Sequence, residues 1–386
     1  MARNRVIYQS EALFVADGSL VPTAAHTSDK IKQLHRVQSA NYGFTVNRQD
    51  VNQFGQLARI DQISIEAPTV NLDFSYYLTT GNNETALGFS VGTTSSTVPF
   101  ISGLIDSNVN ANNIGIVSGR NFHVLTVAEG NDANGSASGT FSNYNSARTI
   151  SIGNGYITNY TVEAAVGGLP TVSVTAEGLN VSVGTGSSGI IVPGINVENG
   201  TASNSTFALP APVTGNVGIS ALRPGDVSVI VVDGILAELP TGVGGDNTAA
   251  HIQNLSIEVP IGRTTLERLG SRFGFTKVID FPVEITVNMS AIVADLETSG
   301  SIAALLDADV TRTLAFVFKL PGSSGSESRI VYELRGAKLA SENMSSTIGD
   351  NKTVDLTFTA QVGGPQDTTN GLFVWVQNTA YTPNIV

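Results

Sequence analysis

VQSANYGFTVNRQDVNQFG, residues 37–55, reads as a strand, a polar segment and a closing glycine, and the chain writes it again as IQNLSIEVPIGRTTLERLG at residues 252–270. Laid side by side, Val37 meets Ile252, Gln38 meets Gln253, Val46 meets Ile261, Arg48 meets Arg263, Val51 meets Leu266, Phe54 meets Leu269 and Gly55 meets Gly270. Upstream, LFVADG at 13–18 answers VIVVDG at 229–234. Downstream, Val70, Leu72 and Phe74 align with Val283, Ile285 and Val287, then Gly155 with Gly336, and Val172 and Val174 with Val354 and Leu356. Blocks repeated in unbroken order mark a duplicated unit.

Between these blocks apolar residues alternate with polar ones, and clusters of Gly, Asn, Asp and Pro interrupt them. That is the period and punctuation of β-strands. The first half predicts strands at 5–16, 36–46, 60–78, 119–128, 148–165 and 170–183. The second predicts 226–233, 251–261, 276–293, 311–320, 328–341, 352–362 and 371–377. Short helices are expected after Asn83, at 101–107, and at 302–308 behind a Ser301 cap. The fold class is therefore all-β, mainly β with one or two short helices, in two tandem sandwich or barrel domains. The first spans 1–183, with loop insertions near 92–118 and 129–147, and the second spans 219–386. Residues 184–218, rich in Gly, Ser, Asn and Pro, form either a linker or an arm docked on a neighbour.

Composition narrows the function. With 40 glycines and only 13% charged residues in a chain of 386, short strands and polar loops fit better than long helices. There is no cysteine, so no disulfide and no thiolate chemistry. Gln9, Ser10 and Glu11 interrupt any apolar leader, and no apolar run is long enough to cross a bilayer as a helix, so no membrane partner is expected. The net charge is −12 and both halves share the acidity, which argues against a chain that grips nucleic acid phosphates.

The search for chemistry finds no catalytic, metal or cofactor site. His26, His35, His123 and His251 are dispersed without ligand spacing. GTGSSG at 184–189 matches a dinucleotide loop formally, but Pro193 forbids the helix such a loop needs. Asp132, Asn134 and Gly135 lack the rest of a calcium loop, whose closing position holds Phe141. The repeated segment is more informative. Arg48 or Arg263 is followed by an apolar pair three apart, Val51 and Phe54 or Leu266 and Leu269, and by Gly55 or Gly270. This spacing predicts a single helical turn capped in the left-handed region. As a protruding loop it would offer an apolar anchor and an arginine to another subunit. Arg48, Val51, Phe54, Gly55, Arg263, Leu266, Leu269 and Gly270 are the candidate ring-stacking residues, within loops 47–62 and 262–277 that also carry Arg59, Arg268, Arg272 and Lys277.

NYGFTVNRQDVNQFGQLARIDQISIEAPTVNLDFSYYL and LSIEVPIGRTTLERLGSRFGFTKVIDFPVEITVNMSAIV resemble the strand, long loop, strand element of the tail tube proteins of long-tailed bacteriophages. Gly155 through Val174 and Gly336 through Leu356 resemble the closing part of the same domain. The resemblance implies a virion structural protein with no catalysis and no cofactor: trimeric, pseudo-hexameric rings stacked into a tube, with an acidic lumen that conducts double-stranded DNA without holding it. It also implies partners, namely further copies of the chain, a tape measure protein and tail terminator or baseplate proteins, and assembly in the host cytoplasm into the virion tail. Alternatives are a distal tail or baseplate ring component, or a β-sandwich that binds carbohydrate as an adhesin module.

Overall fold

The computed structural model describes residues 11–17, 31–64, 67–93, 95–105, 119–127, 147–185, 190–196, 201–202, 206–207, 209, 227–231, 250–270, 273–274, 276–293, 311–319, 329–345, 351 and 353–377. The helix expected at 302–308 and the insertion at 129–146 lie outside the described residues.

The protein is all-β. The first half contributes β1 (Glu11–Asp17), β2 (Ile31–Gln33), β3 (Val37–Thr45), β4 (Arg48–Val51), β5 (Asp61–Ser64), β6 (Thr69–Tyr77), α1 (Asn82–Leu87), β7 (Val91–Gly92), a 3-10 turn at Phe100–Leu104, β8 (Arg120–Thr126), β9 (Arg148–Ala165), β10 (Thr171–Gly178) and β11 (Asn180–Thr185). Four two-residue strands follow: β12 (Ile190–Ile191), β13 (Ile195–Asn196), β14 (Thr201–Ala202) and β15 (Thr206–Phe207). The second half contributes β16 (Val227–Val231), β17 (Ala250–Pro260), β18 (Arg263–Leu266), β19 (Thr276–Ile279), β20 (Val283–Val293), β21 (Arg312–Lys319), β22 (Arg329–Ser345), β23 (Thr353–Val362) and β24 (Gly371–Gln377).

Both halves use one pairing scheme. In the first, β1 pairs β8, β8 pairs β9, β9 pairs β10 and β11, β10 pairs β6, and β6 pairs β3. In the second, β16, β21, β22, β23, β24, β20 and β17 pair in the same pattern. Even the irregularities recur. The ladder slips between Val37 and Ser39 as it does between Ile252 and Asn254, and between Arg120 and Phe122 as between Arg312 and Leu314. The long strands β9 and β22 bend at the same place, through a left-handed residue: Asn154 with φ 52° in one, Gly336 with φ 68° in the other.

The ladders also correct two alignments. Tyr76 and Ala291 are register equivalents, so Phe74 matches Met289 and Leu72 matches Val287, two residues from the sequence alignment. A slip of two leaves the inward face unchanged, which is why alternation alone does not detect it. Gly336 likewise matches Asn154 rather than Gly155, because the bend asks for a left-handed residue and Asn tolerates that conformation as Gly does.

The C-terminal part of β9 and of β22 runs in a shared inner sheet, in the order β22, β23, β20, β17, β9, β10, β6, β3. Their N-terminal parts belong to outer sheets with β1, β8 and β11, or with β16, β21 and β24. Inward residues of both layers form one core across the halves, from Leu13, Phe74 and Phe122 to Ile285, Phe316 and Phe358.

The segment after β11 folds back on its own chain. Ile190, Val192, Phe207 and Leu209 pack on Phe14, Leu125 and Val127, the outward face of the first outer sheet. Asn154 fixes this arm with its side chain, accepting from the Ile195 N–H at 2.7 Å and donating to the Ile195 carbonyl at 3.2 Å. Residues 81–105 reach the other way: β7 lies parallel to β24, and Ser102 Oγ donates to the Pro365 carbonyl at 2.7 Å.

Candidate assembly surfaces

The two halves meet through β17 and β9, which pair antiparallel from Asn254 opposite Ala165 to Pro260 opposite Asn159. The β18–β19 hairpin fastens this seam. Arg263 donates from Nε to the Ile157 carbonyl at 3.1 Å, and its guanidinium sits over the Tyr156 ring at 5.2 Å. Lys277 reaches the same ring and pairs with Glu177 at 2.9 Å. Burial pulls the Arg263 guanidinium down to about 10, with Tyr156 opposing.

The same two surfaces stand open at the ends of the inner sheet. β3 is the equivalent of β17, yet among the described strands it pairs only with β6; residues 338–345 of β22 are the equivalent of the β9 seam, yet among the described strands they pair only with β23. The consequence is visible in burial. Ile257 and Val259 on β17 are fully buried, whereas their equivalents Tyr42 and Phe44 are 45% and 67% exposed. Met344 is exposed where its equivalent Val162 is buried. Leaving these side chains partly in water forgoes a share of the roughly 1.5–3 kcal/mol that full burial of a large apolar side chain is worth. The sequence reading passed over Tyr42, Phe44 and Met344; the signal was present in the aligned block, where Tyr42 stands opposite Ile257 and Phe44 opposite Val259.

The candidate stacking residues lie on two matching hairpins. β4 pairs β5 as β18 pairs β19. The expected helical turn is absent: Val51 ends a strand while Phe54 lies in a β-turn closed by the Gln56 N–H on the Gln53 carbonyl, so the two do not share a helical face. The spacing was short enough to suit either geometry. The glycines do take the left-handed conformation, with φ 86° at Gly55 and 87° at Gly270. Phe54, Leu57 and Leu269 are fully exposed at the tips. Arg48 and Val51 are exposed, whereas Arg263 is folded into the seam and Leu266 is half-buried. Arg59 pairs with Asp50 at 3.1 Å; Arg272 lies outside the described residues.

The outward face of the inner sheet is polar from edge to edge. Its strands present Ser, Thr and Asn together with Asp73, Glu163, Glu258, Glu284 and Asp355 and the Lys277-paired Glu177, against Lys338. Hydroxyl and amide contacts bind neighbouring strands on this face, as between Ser39 and Ser75 at 2.7 Å and from Thr357 to Asn288 at 2.9 Å.

Nothing among the described residues gathers three or more potential metal ligands. His123 is buried on β8 beside Ser151 at 2.8 Å, and the His35 N–H donates to Asn83 of α1 at 2.9 Å. No described helix is long and apolar enough to cross a membrane. No protein-family model matches the chain, and no curated protein matches it.

Proposed function

We propose that this chain is a virion structural protein, the subunit of a phage tail tube, whose copies join edge to edge into rings. The observation that supports this is the pair of unmatched edges: each is the counterpart of one side of a seam that the chain already makes internally. Repeating that seam between copies sets β3 of one chain against residues 338–345 of the next, with Tyr42 opposite Met344, Phe44 opposite Glu342 and Thr45 opposite Ser341. Arg48 then reaches the Leu339 carbonyl as Arg263 reaches Ile157. The contact is heterologous, so it propagates until the ring closes. It also covers sheet edges that invite uncontrolled pairing.

Three copies would bring six equivalent domains into the ring, as the resemblance to tail tube proteins implies. The polar outward face of the inner sheet would then line the channel. Its carboxylates repel a phosphate backbone, and the scarcity of cations there removes the contacts that would retain DNA. The exposed hairpin tips would meet the adjoining ring, a tape measure protein would fill the lumen during assembly, and terminator or baseplate proteins would cap the ends.

Cysteines placed at Tyr42 and Met344 test the reading. Directly opposed residues on antiparallel strands lie about 4.5–5.5 Å apart between Cα atoms, within disulfide range, and the native chain has no cysteine to interfere. Oxidation should give chain-to-chain dimers and closed trimers, with rings in electron micrographs. Dispersed monomers at high concentration without cross-links would sink the proposal; rings without cross-links would reject this register alone. A distal tail or baseplate component would form the same rings but not stack them. A sugar-binding module finds less support, because the one tryptophan, Trp375, is buried.

A further inference from the structure

Glu84 is fully buried on α1, where two tyrosine hydroxyls bond its carboxyl and one of them bonds a third tyrosine. Oε1 accepts from Tyr76 on β6 at 2.8 Å and from Tyr160 on β9 at 3.2 Å, and the Tyr160 hydroxyl lies 2.9 Å from that of Tyr332 on β22. Tyr76, Tyr160 and Glu84 belong to the first half and Tyr332 to the second. Oε2 is buried with no hydrogen-bond partner. The other buried carboxylate among the described residues, Glu333, pairs with Arg335.

The helix has no room to withdraw the carboxyl. Asn83 bonds both the N–H and the carbonyl of His35, at 2.9 and 2.8 Å, and Gly88 closes the helix in the left-handed region. Arg120 on β8 directs its Nε to the Leu87 carbonyl of α1 at 3.1 Å. The groups that face Glu84 are therefore the phenols of β6, β9 and β22 and its own N–H on α1.

We propose that Glu84 is a proton-operated clamp between the two halves, closed when its carboxyl carries a proton and loosened when it does not. A neutral acid sits in this apolar corner at modest cost, with its carbonyl oxygen still accepting from the phenols. A carboxylate without a cation beside it brings a desolvation penalty into the seam. Burial pushes the carboxyl above its ordinary range, and the N–H and phenol bonds offset only part of that. Burial also holds all three tyrosines well above their usual values, so they stay neutral throughout. The stabilisation is fully present below the unfolded carboxyl pKa and is lost as pH rises through the folded one. Each unit between the two values is worth about a tenfold change in the folding equilibrium.

Denaturation midpoints of the full chain from about pH 5 to about pH 8.5, compared with Glu84→Gln, read this directly. The wild type should lose stability relative to the variant as pH rises, and amide protection along the β17–β9 seam should fall before that of the first-half core. Parallel midpoint curves would overturn the clamp, as would a loss of protection spread evenly over the molecule. Should Glu84→Gln fail to fold, infrared difference spectra of the wild type decide instead. A protonated carboxyl band that persists above the ordinary carboxylate range supports the proposal, and its absence there rejects it.

Discussion

Arg263 donates from Nε to the carbonyl oxygen of Ile157 at 3.1 Å, tying the second half to a strand of the first. Its equivalent, Arg48, is exposed beside an edge that has no such neighbour among the described residues.

This difference sets the first prediction. Arg263→Met should cost about 1.5–3 kcal/mol of folding stability, the range for a hydrogen bond from a charged donor. Arg48→Met should leave the monomer within about 0.5 kcal/mol of wild type and weaken association between copies. Denaturation of dilute protein separates these effects from sedimentation at high concentration.

Phe44→Asp is predicted to keep the monomer folded, because the side chain is already in water. The same change should abolish ring formation, since the seam would bury an unpaired carboxylate opposite Glu342. Rings of normal appearance in micrographs of this variant would place the copy contact elsewhere than β3.

Replacing Phe54 and Leu269 together by Ser should preserve rings and stop tube elongation. Both side chains are fully exposed at hairpin tips, and truncating a desolvated interface anchor costs about 1–4 kcal/mol. Tubes of normal length would mean that stacking is carried by another surface, the arm at 190–209 being the next to test.

Asn154→Gly keeps the left-handed backbone and removes both side-chain bonds to Ile195. The cost should be about 1–3 kcal/mol, and limited proteolysis should open residues 190–209 before the sandwich. Gly336→Ala has the opposite character. It places a Cβ in the left-handed region and against the Asn370 side chain, so it should destabilise the second half while leaving the arm protected.

Much of this fold was legible because alternation and turn residues mark strands directly. β9 covers the predicted 148–165 and β24 the predicted 371–377. Registers were less legible. The match of Phe74 to Met289 is invisible to a pattern of period two, and only the paired ladders resolve it. The left-handed bend was hidden for a related reason, since Asn154 and Gly336 meet one backbone demand with different residues. The hairpins were misread because an apolar pair three apart, as in Val51 and Phe54, suits a helical turn and a strand end alike. The exposed edge residues were missed because exposure is not a property of sequence: Tyr42 alternates like a core residue, and only the fold shows that β3 has no outer neighbour among the described strands. Glu84 was missed for the converse reason, as nothing adjacent to it in the chain announces that Tyr160 and Tyr332 from distant strands join Tyr76 beside it.

The internal β17–β9 seam has an entropic consequence for any closed ring. Association costs an estimated 4–15 kcal/mol in lost translational and rotational freedom. When two domains share one chain, every second joint forms at folding, at the high effective concentration of a tethered partner. Only the remaining joints depend on the concentration of free subunits, so a ring of linked pairs should nucleate at a lower concentration than a ring of the same domains supplied singly.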